Sequence, residues 1–488
     1  MNVEGWRCFQ FSVLGSRFPV LGSRFPVPGS RFLVPGSRFP VLGSRFSVLG
    51  SRFSVLGSWF LMNILLPTDV FPPCCGGAGW SAHALALALI ARGHTVTAIV
   101  PREGQEGIST GETLSVPTVF AGYRAPRIPF VRNYARNERL WPRLAQVIVE
   151  TSTSPPPHHP ATIIHAQHVQ VAPAAVIAGR RIGAPVVISV RDHWPWDYFA
   201  TGLHGDQIPY PCQTWASLAT DLPVRLGPLR GAVALPAIPY MLAHLAHRRA
   251  ALRQADAVIA GSRYIAGRLA NLVTSERLHI IPNIVDLAMI DAQIAAPSDL
   301  IPPDERFVLY VGKLERNKGA HLLGEIVQQA GAALHRHTLV IAGSGPLRAD
   351  LEVAMRVSRV RARFLDWIDH NDVLRLMARC DLLLFPSAWG EPLSRVLLEA
   401  CACGAPILAM PTGGTPDIII DGESGALAAT VSNFARRLAE LLERPAERRA
   451  LGAEARRRAE QRFAPDVVAG QVERLYQSLR ESARRAAP

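Results

Sequence analysis

From Met62 onward the chain alternates short apolar runs with longer segments of helical periodicity, and that alternation leaves few folds open. NILLP, HTVTAIV, TIIHA, APVVISV, DAVIA and LHIIP are near-continuous apolar runs, as expected of strands covered on both faces. Segments such as WSAHALALALIARG and PAAVIAGRRIG lie between them and suit helices. Such alternation builds parallel sheets sandwiched by helices. Residues 291–304 (DAQIAAPSDLIPPD) are rich in Pro and Asp, poor in apolar side chains, and mark a linker. A second series follows (FVLYVG, HTLVIAG, ARFLDW, DLLLFPS and APILAM), and Arg- and Ala-rich helices close the chain. The predicted architecture is α/β: two doubly wound, Rossmann-like domains, residues 62–296 and 297–488, facing each other across a cleft. A length of 488 residues also exceeds what one core ordinarily holds.

Upstream the pattern changes. From Val13 to Leu61 a seven-residue unit recurs as VLGSRFP, VPGSRFL, VLGSRFS and close variants. A period of seven would suit a coiled coil, but every copy carries Gly and several carry Pro, which cost a helix roughly 1 and 3 kcal/mol each. No continuous apolar core marks a signal peptide. Residues 1–61 therefore read as low-complexity repeats without fixed structure, in the manner of translated repetitive DNA ahead of a true start at Met62; a basic, aromatic anchor for anionic lipid is the alternative. This segment holds seven arginines against Glu4 alone, so the formal charge of +13 falls to +7 without it. The remaining excess suits pyrophosphate-bearing substrates or an anionic membrane as readily as nucleic acid. The seven cysteines show no framework spacing. Cys401 and Cys403 fall in an apolar helical run, as buried free thiols, and adjacent Cys74 and Cys75 cannot readily bridge each other, so a reducing compartment is expected.

Chemistry concentrates in FPSAWGEPLSRVLLEACACG. Leu393, Val396, Leu397 and Ala400 follow helical spacing and predict the face that packs on the sheet, leaving Glu399 off that stripe. Glu391 precedes the helix. Taken alone the two acids can be bland: one favouring the dipole end by about 0.3–1 kcal/mol, the other solvated. Their spacing suggests more. Eight helical residues rise about 12 Å, roughly the sugar-to-ribose separation of a nucleotide diphosphate sugar. Each carboxylate can accept from a pair of hydroxyls while the helix N-terminus faces a pyrophosphate. YVGKLERNKGAHLL adds Lys313 and Lys318 in a loop after a strand, where cations can neutralise a diphosphate leaving group. The Gly-rich loops are weaker signals. GSGP (Gly343–Pro346) has Arg348 where a dinucleotide fingerprint needs its third Gly, and GGAG (Gly76–Gly79) lies too far beyond its strand, although Gly76 and Gly77 can still turn N–H groups toward an anion.

From Met62 to about residue 480 the sequence resembles glycosyltransferase family 4, the retaining, group 1-type enzymes of the GT-B fold. The resemblance rests on collinear segments: NILLPTDVFPPCCGGAGW, ARGHTVTAIV, IIHAQH, GSRYIAGRL, IIPNIVD, VGKLERNKG, IAGSGP, FPSAWGEPLSRVLLEACACGAPILA and GGTPDIIIDGESGAL. It implies that Glu391 contacts the donor sugar, Glu399 the ribose, and Lys313 and Lys318 the diphosphate, the first lysine replacing a more usual Arg. Backbone at Leu393 and Ser394 would line donor phosphate and sugar. Gly76 and Gly77 would form the loop near diphosphate and acceptor, and Gly414 would begin a loop closing over the donor. One departure stands out: where the family commonly shows His-Asp or His-Glu after the VVISV-type strand, this chain has Arg191-Asp192-His193. Arg191 cannot act as a base. Either it supports the leaving group or acceptor electrostatically, the favoured reading, or His193 supplies the imidazole. Asp192, His193 and His165 are acceptor-side candidates, while His165 and His168 also suit structural roles.

WPWDYFATGLHGDQIPYPCQTW then looks like an acceptor-side insertion, and Gly231–Ala243 is apolar but broken by Pro236 and Pro239. Thirteen residues are too few to span a bilayer. They suit a core or interdomain helix pair, or an interfacial patch meeting a lipid-linked acceptor.

The expected activity is retaining, metal-independent transfer from a UDP- or GDP-linked sugar to a sugar or lipid-linked acceptor, in cell-surface glycan or glycolipid synthesis. The expected compartment is the cytoplasm, with peripheral contact at the inner face of the membrane. No DxD-type carboxylate pair calls for a metal, no carboxylate is a clear nucleophile, and neither a cofactor nor a nucleic-acid partner is expected. The rivals are a nucleotide-sugar epimerase of the same fold and a non-catalytic, basic nucleic-acid-binding protein.

Overall fold

The computed structural model describes residues 7–13, 16–22 and 61–486, apart from 74, 129, 154–161, 206–207, 210–211 and 297. The chain divides into two units, 1–62 and 63–488. In the first, Arg7–Val13 and Ser16–Gly22 pair antiparallel. This departs from the expectation of a repeat without fixed structure; RCFQFSV and SRFPVLG carry aromatic and β-branched residues that favour extended chain. Residues 23–60 of the repeat, and Cys74, lie outside the described residues.

The second unit holds two sheets. The first contains β1 (Asn63–Pro67), β2 (Thr95–Glu103), β3 (Ile108–Thr113), β4 (Val116–Tyr123), β5 (Thr162–Ala166), β6 (Val186–Val190), β7 (Ala257–Ala260) and β8 (Leu278–Ile280). Their order is β8-β7-β6-β5-β1-β2-β4-β3, and every pair is parallel except the β3–β4 hairpin at the edge. The second contains β9 (Phe307–Val311), β10 (Thr338–Ala342), β11 (Ala362–Asp366), β12 (Leu382–Phe385), β13 (Ile407–Ala409) and β14 (Ala426–Leu427). These are parallel in the order β11-β10-β9-β12-β13-β14. In both sheets the order reverses beside the first strand, so the sheet is doubly wound and opens a crevice at its strand C-termini. The apolar runs become strands buried on both faces, β1, β6 and β10 at every residue. The β3–β4 hairpin escapes sequence reading because ISTGET is almost wholly exposed and offers no apolar face.

The helices that matter to the site are α1 (Gly77–Ala91), α2 (Val131–Arg136), α3 (Trp215–Leu226), α4 (Pro228–Ala234), α5 (Ile238–Gln254), α6 (Arg395–Ala402) and α7 (Pro465–Ala486). Helix α1 begins at Gly77 rather than at Trp80, with Gly76 extended as its cap. A helix at Leu287–Ile294, capped by the Asp286 side chain, enters the stretch expected to be pure linker. The largest correction concerns α7, which sequence order assigns to the second domain. It returns to the first: the Arg92 Nε donates to Glu473 at 2.8 Å, and the buried Tyr476 hydroxyl lies 2.6 Å from His165 Nδ1. Its apolar stripe shows that it must pack, but a stripe names no partner sheet.

Candidate active site

The donor-side residues converge at the end of β12. Lys318 closes a short 3-10 turn and forms an ion pair with Glu391, while its Nζ sits 4.8 Å from the centre of the Trp389 ring. Two glycines make this approach possible. Gly319 has φ +73°, and a Cβ there would fall 1.8 Å from the Pro386 carbonyl oxygen. Gly413 has φ +56°, and a Cβ would fall 2.3 Å from the Glu391 carbonyl oxygen. The Gly414 N–H donates to that same carbonyl at 2.7 Å, so the Gly413–Gly414 turn backs Glu391 directly. Glu391 is 7% exposed, and removal of Lys318 would leave its carboxylate buried without that partner.

Helix α6 begins only at Arg395, and Glu391–Ser394 is not helical. The separation reckoned from eight helical residues therefore does not apply, because Pro392 and the Ser394 cap delay the helix. The Ser394 hydroxyl accepts from the Leu397 N–H at 3.4 Å. Leu397 and Ala400 are buried on the sheet as expected, but Glu399 is also buried at 4% exposure. Burial alone would raise its pKa; His370 Nε2 at 3.0 Å and the Arg395 Nε at 2.6 Å hold it below the usual carboxylate range. His370 rises in turn through its bond to Glu399. Lys313 stands apart from the Lys318–Glu391 pair. Its side chain is exposed, 3.8 Å from Glu315, while the Tyr310 hydroxyl, bonding to the carbonyls of Lys313 (3.0 Å) and Lys318 (3.3 Å), ties the two lysine backbones together.

The first domain meets this edge through several contacts. A Cβ on Gly77 would lie 3.2 Å from Arg395 Cδ, which puts the Gly76–Gly77 loop against the first turn of α6. Leu393 faces Gly261, and the Ser262 hydroxyl donates to the Pro392 carbonyl. The Trp389 Nε1–H donates to the Thr201 carbonyl at 2.6 Å, in a loop shaped by the buried Asp197 carboxylate, which accepts from the N–H groups of Phe199, Thr201 and Gly202.

His193 is the central residue of this meeting. Arg268 can only donate, so His193 Nδ1 accepts from it at 2.7 Å and the Nε2–H donates to the Gly390 carbonyl at 3.0 Å. Burial, with Arg268 beside it, depresses the imidazole to about 4 against the pull of the Gly390 carbonyl. Arg191 takes another direction. It donates to Asn283 and, at 2.8 Å, to Gln167, and its buried Nε has no hydrogen-bond partner among the described residues. These bonds tie the ends of β5 and β6 to the segment leading into the second domain. Arg191 lines a small cavity with Ser81, His165 and Asn283, held there by these two bonds, while His193 reaches across to the Gly390 carbonyl. His165 is fully buried between Tyr476 and Ser189 (2.8 Å) and pushed down to about 3 by burial, a structural position. His168 pairs with Asp69 at 2.8 Å and Thr68 at 2.9 Å. Asp192 accepts from the Trp194 N–H at 2.9 Å, and burial raises it to about 6.

Trp389, Arg268, His370, Arg395, Asn283 and Gln167 were not singled out from sequence. Trp389, Arg395, Asn283, Gln167 and Arg268 lie inside quoted motifs, and their neighbours there are the available signal; nothing local marks His370.

Comparison with known proteins bears on the family and the fold. Residues 75–289 match the family model described as Glycosyltransferase Family 4, and residues 292–458 the model described as Glycosyl transferases group 1. The chain is 26% identical over 456 residues to a glycogen synthase of Mycobacterium tuberculosis, covering 88% of this chain and 97% of that one. It is 28% identical over 287 residues to the 2-deoxystreptamine glucosyltransferase of Streptomyces kanamyceticus, covering 53% and 71%. Among solved structures, Anabaena Alr3699/HepE in complex with UDP superposes with a TM-score of 0.59 at 18% identity, over 86% of this chain and all of that one. Sucrose-phosphate synthase from Thermosynechococcus elongatus gives 0.59 at 21% identity with the same coverage. At these identities the structures speak for the fold.

Proposed function

The chain belongs to the glycosyltransferases of family 4 and group 1 type, with a GT-B fold, and we propose that it moves a sugar from a nucleotide diphosphate sugar to an acceptor hydroxyl with retention and without a metal. The observation that carries this reading is the Lys318–Glu391 pair beside Trp389, next to a capped helix N-terminus that the Gly76–Gly77 loop faces. A diphosphate leaving group needs positive charge and free N–H groups where its own charge develops. Lys318 and the first turn of α6 offer both, and Lys313, on a mobile stem, can swing toward the same anion. Glu391 is placed to accept from sugar hydroxyls once Lys318 turns to the phosphate. Glu399, with Arg395 and His370, offers a polar seat for the ribose. The structures bound to UDP and UDP-glucose support a nucleotide-sugar donor, with UDP or GDP as the nucleotide.

In the proposed mechanism, the bond from the anomeric carbon to the diphosphate oxygen breaks while the acceptor oxygen approaches on the same face. The departing oxygen takes the acceptor proton, and the protein supplies positioning and leaving-group stabilisation. His193 is neutral and engaged at both nitrogens, which suits holding the lobes together better than carrying that proton. Lys318→Ala and Glu391→Ala should each lower kcat by about 10²–10³ with the circular dichroism of the parent, and Lys318→Ala should also melt lower because it leaves the Glu391 carboxylate unpaired. Near-normal turnover in both variants would remove this assignment. Nucleotide release measured with and without acceptor separates transfer from epimerisation, since only transfer depends on the acceptor.

A further inference from the structure

We propose that the face of the first domain formed by residues 124–139 and the α3–α4 hairpin docks on an anionic lipid bilayer. Among the described residues, sixteen large apolar side chains stand exposed, and eight of them fall in residues 128–134 and 215–233. Such clustering marks a contact surface and not the scattered apolar exposure of an ordinary domain. Leu229 and Val233, one helical turn apart on α4, are 79% and 76% exposed; Val224 and Ile128 are 62% and 60% exposed.

The two segments belong to one structure. They share a small satellite core of Tyr198, Leu218, Leu222, Ala234, Ile238 and Met241, on which Phe130 packs. Tyr134 meets Tyr240 with ring centres 6.1 Å apart, and the Asn133 side chain donates to the Tyr198 hydroxyl at 2.7 Å. The loop that brings His193 and Thr201 to the cleft also brings Tyr198 into this core, so one short segment joins the face to the active site.

Charge selects the partner. Residues 222–255 carry five arginines and no acid, although Arg248 is buried and Arg225 is paired with Asp221, and residues 124–139 carry five arginines against Glu138 alone. The nearby acids are engaged. Glu138 faces His244 and Tyr240, Asp221 pairs with Arg225, Glu103 with Arg132, Glu106 with Arg124, and Asp69 lies 4.0 Å from Arg136. Among the described residues, no carboxylate pairs with Arg127, Arg139 or Arg230. Exposed apolar side chains beside unpaired arginines fit an anionic headgroup layer, where a modest apolar insertion and a basic patch act together.

The helical run Pro228–Gln254, at 27 residues, is longer than the thirteen-residue apolar stretch suggested, and by length and composition it could cross a membrane. It does not stand free to do so. His244 and Arg248 are buried on its inner side, against Glu138 and Trp194, together with Ile238, Met241 and Leu245. Its exposed face can only lie along a surface.

The test is flotation of the full chain with vesicles of phosphatidylcholine alone or with about one-third phosphatidylglycerol. The proposal expects binding to the anionic vesicles only, weakened by salt. Replacing Arg127 and Arg230 by Glu should lower that binding roughly fivefold per arginine, and Leu229→Glu with Val233→Glu at least as much. All four side chains are exposed, so melting temperature and nucleotide binding should not change. Equal flotation of the parent and both double variants would overturn the proposal. So would sedimentation showing that Leu229→Glu with Val233→Glu dissociates a dimer while lipid binding stays absent, because the face would then join two copies of the chain.

Discussion

His193→Ala offers the sharpest probe of how the two domains meet. The imidazole accepts from Arg268 at 2.7 Å and donates to the Gly390 carbonyl at 3.0 Å, among the rings of Trp196, Tyr264 and Trp389. Alanine removes both bonds and leaves a void in that ring cluster. An unmade buried hydrogen bond costs about 1–3 kcal/mol. Taking about 2 kcal/mol, and assigning it to contact between the domains, the joined arrangement becomes about 30-fold less favoured relative to an open one. The Gly390 carbonyl immediately precedes Glu391, so the same loss loosens the carboxylate that faces the donor. Titration calorimetry with nucleoside diphosphate should show weaker binding by up to that factor, and kcat should fall with it. His193→Gln, whose amide can still donate to Gly390, should recover most of the binding. A melting temperature lowered in both variants with binding and kcat unchanged would refute the reasoning, because His193 would then serve stability alone.

Two further expectations concern the buried groups. His193 and His244 are depressed to about 4 by burial, and His165 to about 3, from a free value near 6.5. Each therefore contributes its full stability above pH 6.5 and loses it as pH falls through the folded value, about 3 kcal/mol for His193 alone. Asp192, raised to about 6, runs the other way and offsets part of this as it protonates. Melting temperature should stay level between pH 8 and pH 7 and fall with growing slope toward pH 4; a level profile down to pH 4 contradicts the burial argument. Arg191→Leu should lower the melting temperature by several degrees with kcat little changed below the transition, since Arg191 bonds to Gln167 and Asn283. A hundredfold loss of kcat at unchanged melting temperature would return Arg191 to the substrate.

How much of this was legible in sequence depended on distance along the chain. The strands of both sheets read directly, because a doubly covered strand must be apolar throughout, and Glu391, Ser394 and Glu399 read together because nine consecutive residues carry them. The edge hairpin and the two-residue β14 did not: β3 is exposed and leaves no apolar signature, β4 carries its buried residues around Pro117 and Gly122, and β14 is too short to show a pattern. Nor did the partners of Arg191 and His193. The strand ends at Val190 and the chain bends at Asp192 and His193, so Arg191 reaches Gln167 and Asn283 while His193 reaches across to Gly390, and no local pattern foretells that bend. His193 and Gly390 are 197 residues apart, and His165 and Tyr476 are 311 apart. The C-terminal helix follows the same logic: its periodicity shows one face that must be buried, but the partners that claim it, His165, Arg92 and His94 among them, lie in the first domain, hundreds of residues away. A chain that ends on its opposite domain has both termini of the second domain anchored to the first. Movement between the domains must then bend at two crossings, near Asn283 and near Phe463, whose carbonyl accepts from the Val285 N–H at 2.9 Å. Those crossings lie side by side, and Arg191, bonded to Asn283, stands next to them.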